Sequence, residues 1–61
     1  MPVINLQMLS GRSQQCKRDI VVALTDALCK AADVTPEMVS VVVTEVEPNH
    51  WARGGVFVSD R

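Results

Sequence analysis

The sequence predicts an α/β fold, namely a single βαβ unit with two parallel strands, a short turn and a C-terminal β-hairpin or tail strand. Three successive patterns predict it: an alternating apolar segment, a segment with helical periodicity, and a run of β-branched residues. A helical connection between two strands of one sheet makes those strands parallel. Since 61 residues can form only one core, residues 1–61 are expected to be one domain, completed by oligomerisation.

The first strand is predicted at the start of the chain, where Ile4, Leu6 and Met8 alternate with Asn5 and Gln7. This period of two is typical of a strand that has one covered face.

A helix is predicted from Gln14 to about Ala32. The loop before it, residues 10–13, contains Gly11, which allows a backbone conformation that other residues avoid. Ser13 is a favourable N-cap for the helix. Apolar side chains recur at steps of three and four and predict one apolar stripe. Its members are Cys16, Ile20, Leu24, Ala27, Leu28 and Ala31.

The second strand is predicted over residues 39–46, a β-branched run with almost continuous apolar character. Such a run is typical of a strand that is covered on both faces. Thr35 and Pro36 predict a single short turn before it, as N-cap and first helical residue. Two glycines at residues 54–55 predict a tight turn that leads into a tail strand over residues 56–58.

Self-association is predicted because one βαβ unit leaves a sheet face and two strand edges uncovered. Small domains usually depend on disulfides, a metal or oligomerisation for their stability. Cys16 and Cys29 lie thirteen residues apart on the predicted helix, roughly 20 Å along its axis, which is too far for a disulfide. One histidine and two separated cysteines form no recognised metal-binding spacing, so oligomerisation remains.

Composition excludes several classes of partner. The net charge is −1, which gives no basic surface for nucleic acid, and no apolar run is long enough for a membrane span. Free cysteines and the lack of a signal peptide indicate a cytoplasmic location.

Pro2 is the first candidate functional residue. The initiator methionine is normally removed before a small residue such as proline, and this would expose a secondary amine that no side chain supplies. The proline ring also restricts the direction of that amine. The alternative is that Pro2 only begins a strand, where its missing N–H has no cost.

Taken together, these features resemble the 4-oxalocrotonate tautomerase family, without a gap from Pro2 to about Gly55. The matching positions are Pro2, the loop at residues 9–13, Lys17, Thr44, Glu45 and residues 50–55. The resemblance implies a cofactor-independent tautomerase that converts enol or dienol acids, such as 2-hydroxymuconate, to their keto forms. It also implies a homo-oligomer, expected to be a hexamer of three dimers, and a place in the degradation of aromatic compounds.

The resemblance assigns roles to three residues. The Pro2 amine would be the general base and acid, in an apolar pocket that lowers its pKa toward neutrality. Arg12 matches an arginine that a neighbouring subunit contributes to grip the substrate carboxylate; the alternative is a solvated turn arginine. Trp51 matches an aromatic pocket wall, or packs at an interface. His50 also matches a family position but has no assigned chemical role.

Two positions depart from the family pattern. Ser40 stands where well-known members have a second arginine that binds the carbonyl end of the substrate. Arg53 is the nearest candidate replacement in the sequence, the alternative being a surface residue before a glycine turn. Arg53 also stands where related dehalogenases and hydratases have a water-activating glutamate, which disfavours those activities. Two other hypotheses remain: a non-catalytic or partner subunit of a mixed oligomer, and a small dimeric βαβ binding module.

Overall fold

The computed structural model describes residues 1–61 and confirms the predicted βαβ order. Its elements are β1 (Val3–Leu9), helix α1 (Gln14–Ala32), a 3-10 turn (Pro36–Met38), β2 (Ser40–Val46), a second 3-10 turn (Pro48–His50), β3 (Ala52–Arg53), β4 (Val56–Phe57) and a last 3-10 turn (Val58–Asp60). The prediction of the helix bounds is confirmed, and the second strand begins one residue later than predicted.

Strands β1 and β2 are parallel, and their register runs from Val3 opposite Ser40 to Leu9 opposite Val46. Just before the first pair, the N–H of Ser40 donates a hydrogen bond to the carbonyl oxygen of Pro2, with an N···O distance of 3.0 Å. Pro2 and Ser40 therefore lie together at one end of the sheet.

Helix α1 begins at its predicted cap, since the hydroxyl oxygen of Ser13 accepts a hydrogen bond from the N–H of Cys16 at 3.1 Å. It ends at Asp33, which has a left-handed backbone conformation with φ of 55° and donates its N–H to the carbonyl of Cys29. No helix of the chain, α1 included, combines the length and apolar character needed to cross a membrane.

The predicted apolar stripe of α1 is partly wrong. Ala27 and Ala31 are exposed, whereas Lys17, Val21 and Thr25 lie on the half-buried side of the helix. The covered side of the helix is rotated relative to the predicted stripe because polar residues also lie on it. Such residues can cover apolar surface with the carbon atoms of their side chains, and the spacing of apolar residues alone does not reveal them.

The sheet is covered on one face only. Ile4, Leu6 and Met8 are half-buried on the side of α1, whereas Val3 on the opposite face is 57% exposed and Val42 is 50% exposed. The prediction that both faces of β2 are covered therefore fails for a single chain. The open face combines exposed apolar and polar side chains.

The C-terminal segment forms a β-hairpin, as predicted. Gly54 and Gly55 both have positive φ, 62° and 81°, which suits the tight turns that join two-residue hairpins. The predicted tail strand ends at Phe57, one residue early, because Val58 begins a 3-10 turn. The N–H of Val58 donates to the carbonyl of Trp51 at 2.8 Å, so the hairpin closes against that residue.

The isolated chain is more open than a self-sufficient domain. No residue is fully buried, and the accessible surface is 4587 Å², whereas a compact protein of this mass exposes about 3,900 Å². The radius of gyration is 14.4 Å, against about 10.5 Å for a compact domain of this length. The excess surface is what association with further chains would cover.

Candidate active site

A cleft of about 850 Å³ lies beside the second half of β1. Its apolar walls come from three parts of the chain: Leu6 and Met8 of β1, Ile20 of α1, and Trp51 and Val58 around the hairpin. The cleft is therefore assembled by the fold, because these elements are distant in the sequence. An apolar cleft with a few polar groups is the usual form of a small-molecule site.

Three arginines line the same cleft: Arg12, Arg53 and Arg61. Arg12 follows Gly11, whose φ of 118° turns the chain out of β1 toward the helix cap. Arg53 ends the first strand of the hairpin. Nη2 of Arg61 donates to the carbonyl oxygen of Arg53 at 2.8 Å, which holds the Arg61 guanidinium beside the hairpin.

The charge of the cleft is not neutralised within the chain. No aspartate or glutamate lines it, and the ion pair of the chain lies elsewhere, between Lys17 and Glu45. The cleft is therefore suited to an anionic ligand, since guanidinium groups match carboxylates in shape and charge.

The structure brings Arg12, Trp51 and Arg53 together but leaves Pro2 outside their cleft. Pro2 precedes β1, whose seven residues span about 23 Å at 3.3 Å each. The amine predicted as the base and the arginine predicted as the carboxylate anchor therefore lie at opposite ends of one subunit. A site that uses both has to be shared between chains.

The Ser40 position also lies outside the cleft. Because its N–H bonds to the carbonyl of Pro2, Ser40 belongs to the Pro2 end of the sheet. Arg53 therefore does not occupy the place of the missing arginine within the same chain. If Arg53 supplies the missing charge, it does so from the cleft that also holds Arg12.

His50 lies outside the arginine cleft, in a shallow depression on the other side of Trp51 that Gln7 and Val46 also line. Arg61 was not singled out by the sequence. The available signal was a further arginine eight residues after Arg53, but its placement depends on the hairpin and on a bond to a backbone carbonyl.

The ion pair between Lys17 and Glu45 gives a structural reason for two of the matching sequence positions. Lys17 lies in the first turns of α1, and Glu45 lies opposite Met8 in the sheet register. Their side chains are 19% and 34% exposed. The pair joins the start of the helix to the end of β2.

Comparison with known proteins identifies the class. The family model described as "Tautomerase enzyme" matches residues 2–61, so the match begins at Pro2. The chain belongs to the tautomerase family, and its βαβ fold is that of 4-oxalocrotonate tautomerase structures.

Individual relatives cover the full length. A probable tautomerase of Staphylococcus epidermidis is 39% identical over 61 residues, which are 100% of both chains. TomN, a 4-oxalocrotonate tautomerase homologue in the tomaymycin biosynthetic pathway, is 37% identical with a TM-score of 0.96, covering 98% of this chain and 92% of its own. A heterohexamer 4-oxalocrotonate tautomerase from Chloroflexus aurantiacus is 35% identical with a TM-score of 0.94, covering 98% and 97%.

Proposed function

We propose that the protein is a cofactor-independent isomerase that converts an enol or dienol acid, of the 2-hydroxymuconate type, to its keto form. One observation carries the proposal. The cleft holds three arginines, an apolar wall and the free thiol of Cys16, but no histidine, lysine or carboxylate. A carboxylate-binding cleft without its own amine, imidazole or carboxylate base fits a reaction in which the base is the Pro2 amine of another chain.

The proposed reaction moves a proton and no other atom. The amine of Pro2 takes the proton of the enol hydroxyl, and the electron pair left on oxygen forms the carbonyl bond. The double bonds shift along the conjugated chain, and the protonated amine returns a proton to a carbon atom. A base with a pKa near the working pH serves both steps.

Three residues of the cleft have a proposed part in this reaction. Arg12 holds the substrate carboxylate with two parallel hydrogen bonds, which fixes the position of the reacting carbons. Trp51 forms an apolar wall that excludes water from the reacting amine. Arg53 provides positive charge toward the other end of the substrate.

The proposed assembly is a hexamer made of three dimers, in which two sheets join into one four-stranded sheet. The open sheet face, the excess accessible surface and the separation of Pro2 from Arg12 support it. The hairpin also exposes Phe57, at 44%, as an apolar contact for a neighbouring dimer. The heterohexamer from Chloroflexus aurantiacus is one related assembly of this size.

A second candidate function is a partner subunit in a mixed oligomer. Two observations favour it: Ser40 provides no cation at the Pro2 end of the sheet, and one similar structure is a heterohexamer. Such a subunit would contribute Arg12 and Trp51 to a site whose proline belongs to a different chain.

The test is ketonisation of 2-hydroxymuconate by the purified single chain, followed by ultraviolet absorbance, with Pro2→Ala as the comparison. Proline as base predicts a loss of about a hundredfold or more in kcat. Activity in the native chain that Pro2→Ala leaves unchanged would exclude Pro2 as the base. No activity in the native chain, with activity appearing after addition of a second family member, would favour the partner subunit.

A further inference from the structure

Arg61 brings a third guanidinium to the cleft that Arg12 and Arg53 line. Its Nη2 donates to the carbonyl oxygen of Arg53 at 2.8 Å, and its backbone N–H donates to the carbonyl of Val58 at 3.2 Å. A guanidinium has five N–H donors, and the bond to Arg53 uses one of them. The other donors are held beside the cleft and make no hydrogen bond within the chain.

Positive charge is concentrated in this cleft although the net charge of the chain is −1. Three of its six lysines and arginines line the cleft, and none of its seven acidic residues does. No acidic side chain of the cleft balances these three charges. A ligand with two negative charges would therefore be attracted more strongly than a ligand with one.

We infer that Arg61 is a specificity-determining residue, which together with Arg53 binds a second anionic group of the ligand held by Arg12. This inference rests on the proposed function in one respect: the ligand is taken to be an enol or dienol acid. A volume of about 850 Å³ is sufficient for a six-carbon diacid. Arg61 thus selects diacids over monoacids.

The inference also addresses the missing cation at Ser40. That residue is at the Pro2 end of the sheet and carries no charge, so it cannot bind a second carboxylate by charge pairing. Arg61 supplies such charge from the hairpin side of the cleft. Preference for diacids is then compatible with serine at position 40.

Trp51 offers a direct readout of ligand binding. It is the only tryptophan of the chain, which has no tyrosine, and it lines the cleft. Its fluorescence can therefore follow titration with trans,trans-muconate and with sorbate. These two probes share the same diene and first carboxylate, but sorbate has a methyl group in place of the second carboxylate.

The experiment compares the native chain with Arg61→Gln, Arg61→Lys and Arg18→Gln. Arg61→Gln retains a donor for the Arg53 carbonyl but loses the charge. It should weaken muconate binding about tenfold, the usual effect of losing one exposed charge-assisted hydrogen bond, with sorbate binding unchanged. Arg61→Lys should retain most of the preference for muconate. Arg18→Gln is the control, because Arg18 is an exposed helix residue outside the cleft.

Equal weakening of muconate and sorbate by Arg61→Gln would overturn the inference, because it would indicate a structural role. An unchanged preference for muconate would overturn it as well. The outcome is separable from that of the proposed function, because binding is measured without turnover. Selective loss of muconate binding in a chain that ketonises no dienol would support Arg61 as a diacid-binding residue while excluding the enzyme activity.

Discussion

Two inactive variants should restore activity to each other when their subunits are mixed. Pro2→Ala replaces the secondary amine of the proposed base with a primary amine that lacks the proline ring, and Arg12→Ala removes the proposed carboxylate anchor. In one chain these residues lie at opposite ends of β1, about 23 Å apart by strand length. A site formed between chains can therefore take an intact Pro2 from one variant and an intact Arg12 from the other.

The size of the effect follows from the geometry. Each variant alone should lose about a hundredfold or more in kcat/KM, from the missing base or from the missing bidentate anchor. If subunits mix at random in equal amounts and each site takes one residue from each of two chains, about one quarter of the sites are intact. The mixture should therefore recover roughly a quarter of native activity.

The assay is ketonisation of 2-hydroxymuconate at a substrate concentration well below KM, so that the rate reports kcat/KM. The two variants are unfolded together, refolded and assayed, and each variant refolded alone is the control. A further control is the double variant, Pro2→Ala with Arg12→Ala, mixed with an equal amount of native chain. A shared site predicts about one quarter of native activity in this mixture, and a site within one chain predicts about one half.

A mixture no more active than its separate components would refute the shared site. In that case every site would draw Pro2 and Arg12 from one chain, and the subunit would have to adopt a fold different from the one described. Recovery of activity without refolding would mean that subunits exchange spontaneously, which leaves the predicted fraction unchanged.

Three further predictions concern assembly and stability. Light scattering on eluting protein should give a mass near six chains at micromolar concentration; a stable monomer would contradict the assembly. Lys17→Met should lower stability by at most about 1 kcal/mol, seen as a melting temperature a few degrees lower, because the partly exposed ion pair with Glu45 is lost; an unchanged melting temperature would mean that the pair contributes nothing measurable. Hydrogen bonds from the backbone N–H of Glu37 and from the Thr35 hydroxyl hold the pKa of the Glu37 carboxyl below its usual value. These hydrogen bonds to the Glu37 carboxylate therefore stabilise the fold at pH values above the pKa of Glu37 in the unfolded chain. The stabilisation is lost as the pH falls through the lower pKa of Glu37 in the folded chain. Thr35→Val should raise the Glu37 pKa in an NMR titration, and an unmoved titration curve would exclude the hydroxyl as a cause.

Local features of the fold could be predicted from the sequence because their causes are local. Ser13 caps the helix as expected, and the adjacent glycines at 54 and 55 form the expected turn. The covered side of α1 could not be derived fully, because Lys17 faces the sheet region through its pairing with Glu45. The spacing of apolar residues cannot predict an ion pair with a residue on a distant strand.

The candidate site was only partly predictable for a related reason. Arg12, Trp51 and Arg53 were expected from the sequence, and the fold places all three in one cleft. Arg61 was not expected, because its position depends on the hairpin and on the carbonyl of Arg53. The character of β2 predicted cover on both faces, which one chain does not provide, because α1 lies on one face of the sheet and Val42 on the other is 50% exposed.

The central claim is that the free amine of Pro2 is the base, and the N-terminus tests it most directly. With Met1 attached, the nitrogen of Pro2 belongs to a tertiary amide and cannot accept a proton near neutral pH. Two preparations should therefore be compared by intact mass and by ketonisation of 2-hydroxymuconate, one that begins at Pro2 and one that retains Met1. The account predicts activity in the first and a loss of at least about a hundredfold in the second. Equal activity in a preparation that wholly retains Met1 would contradict it.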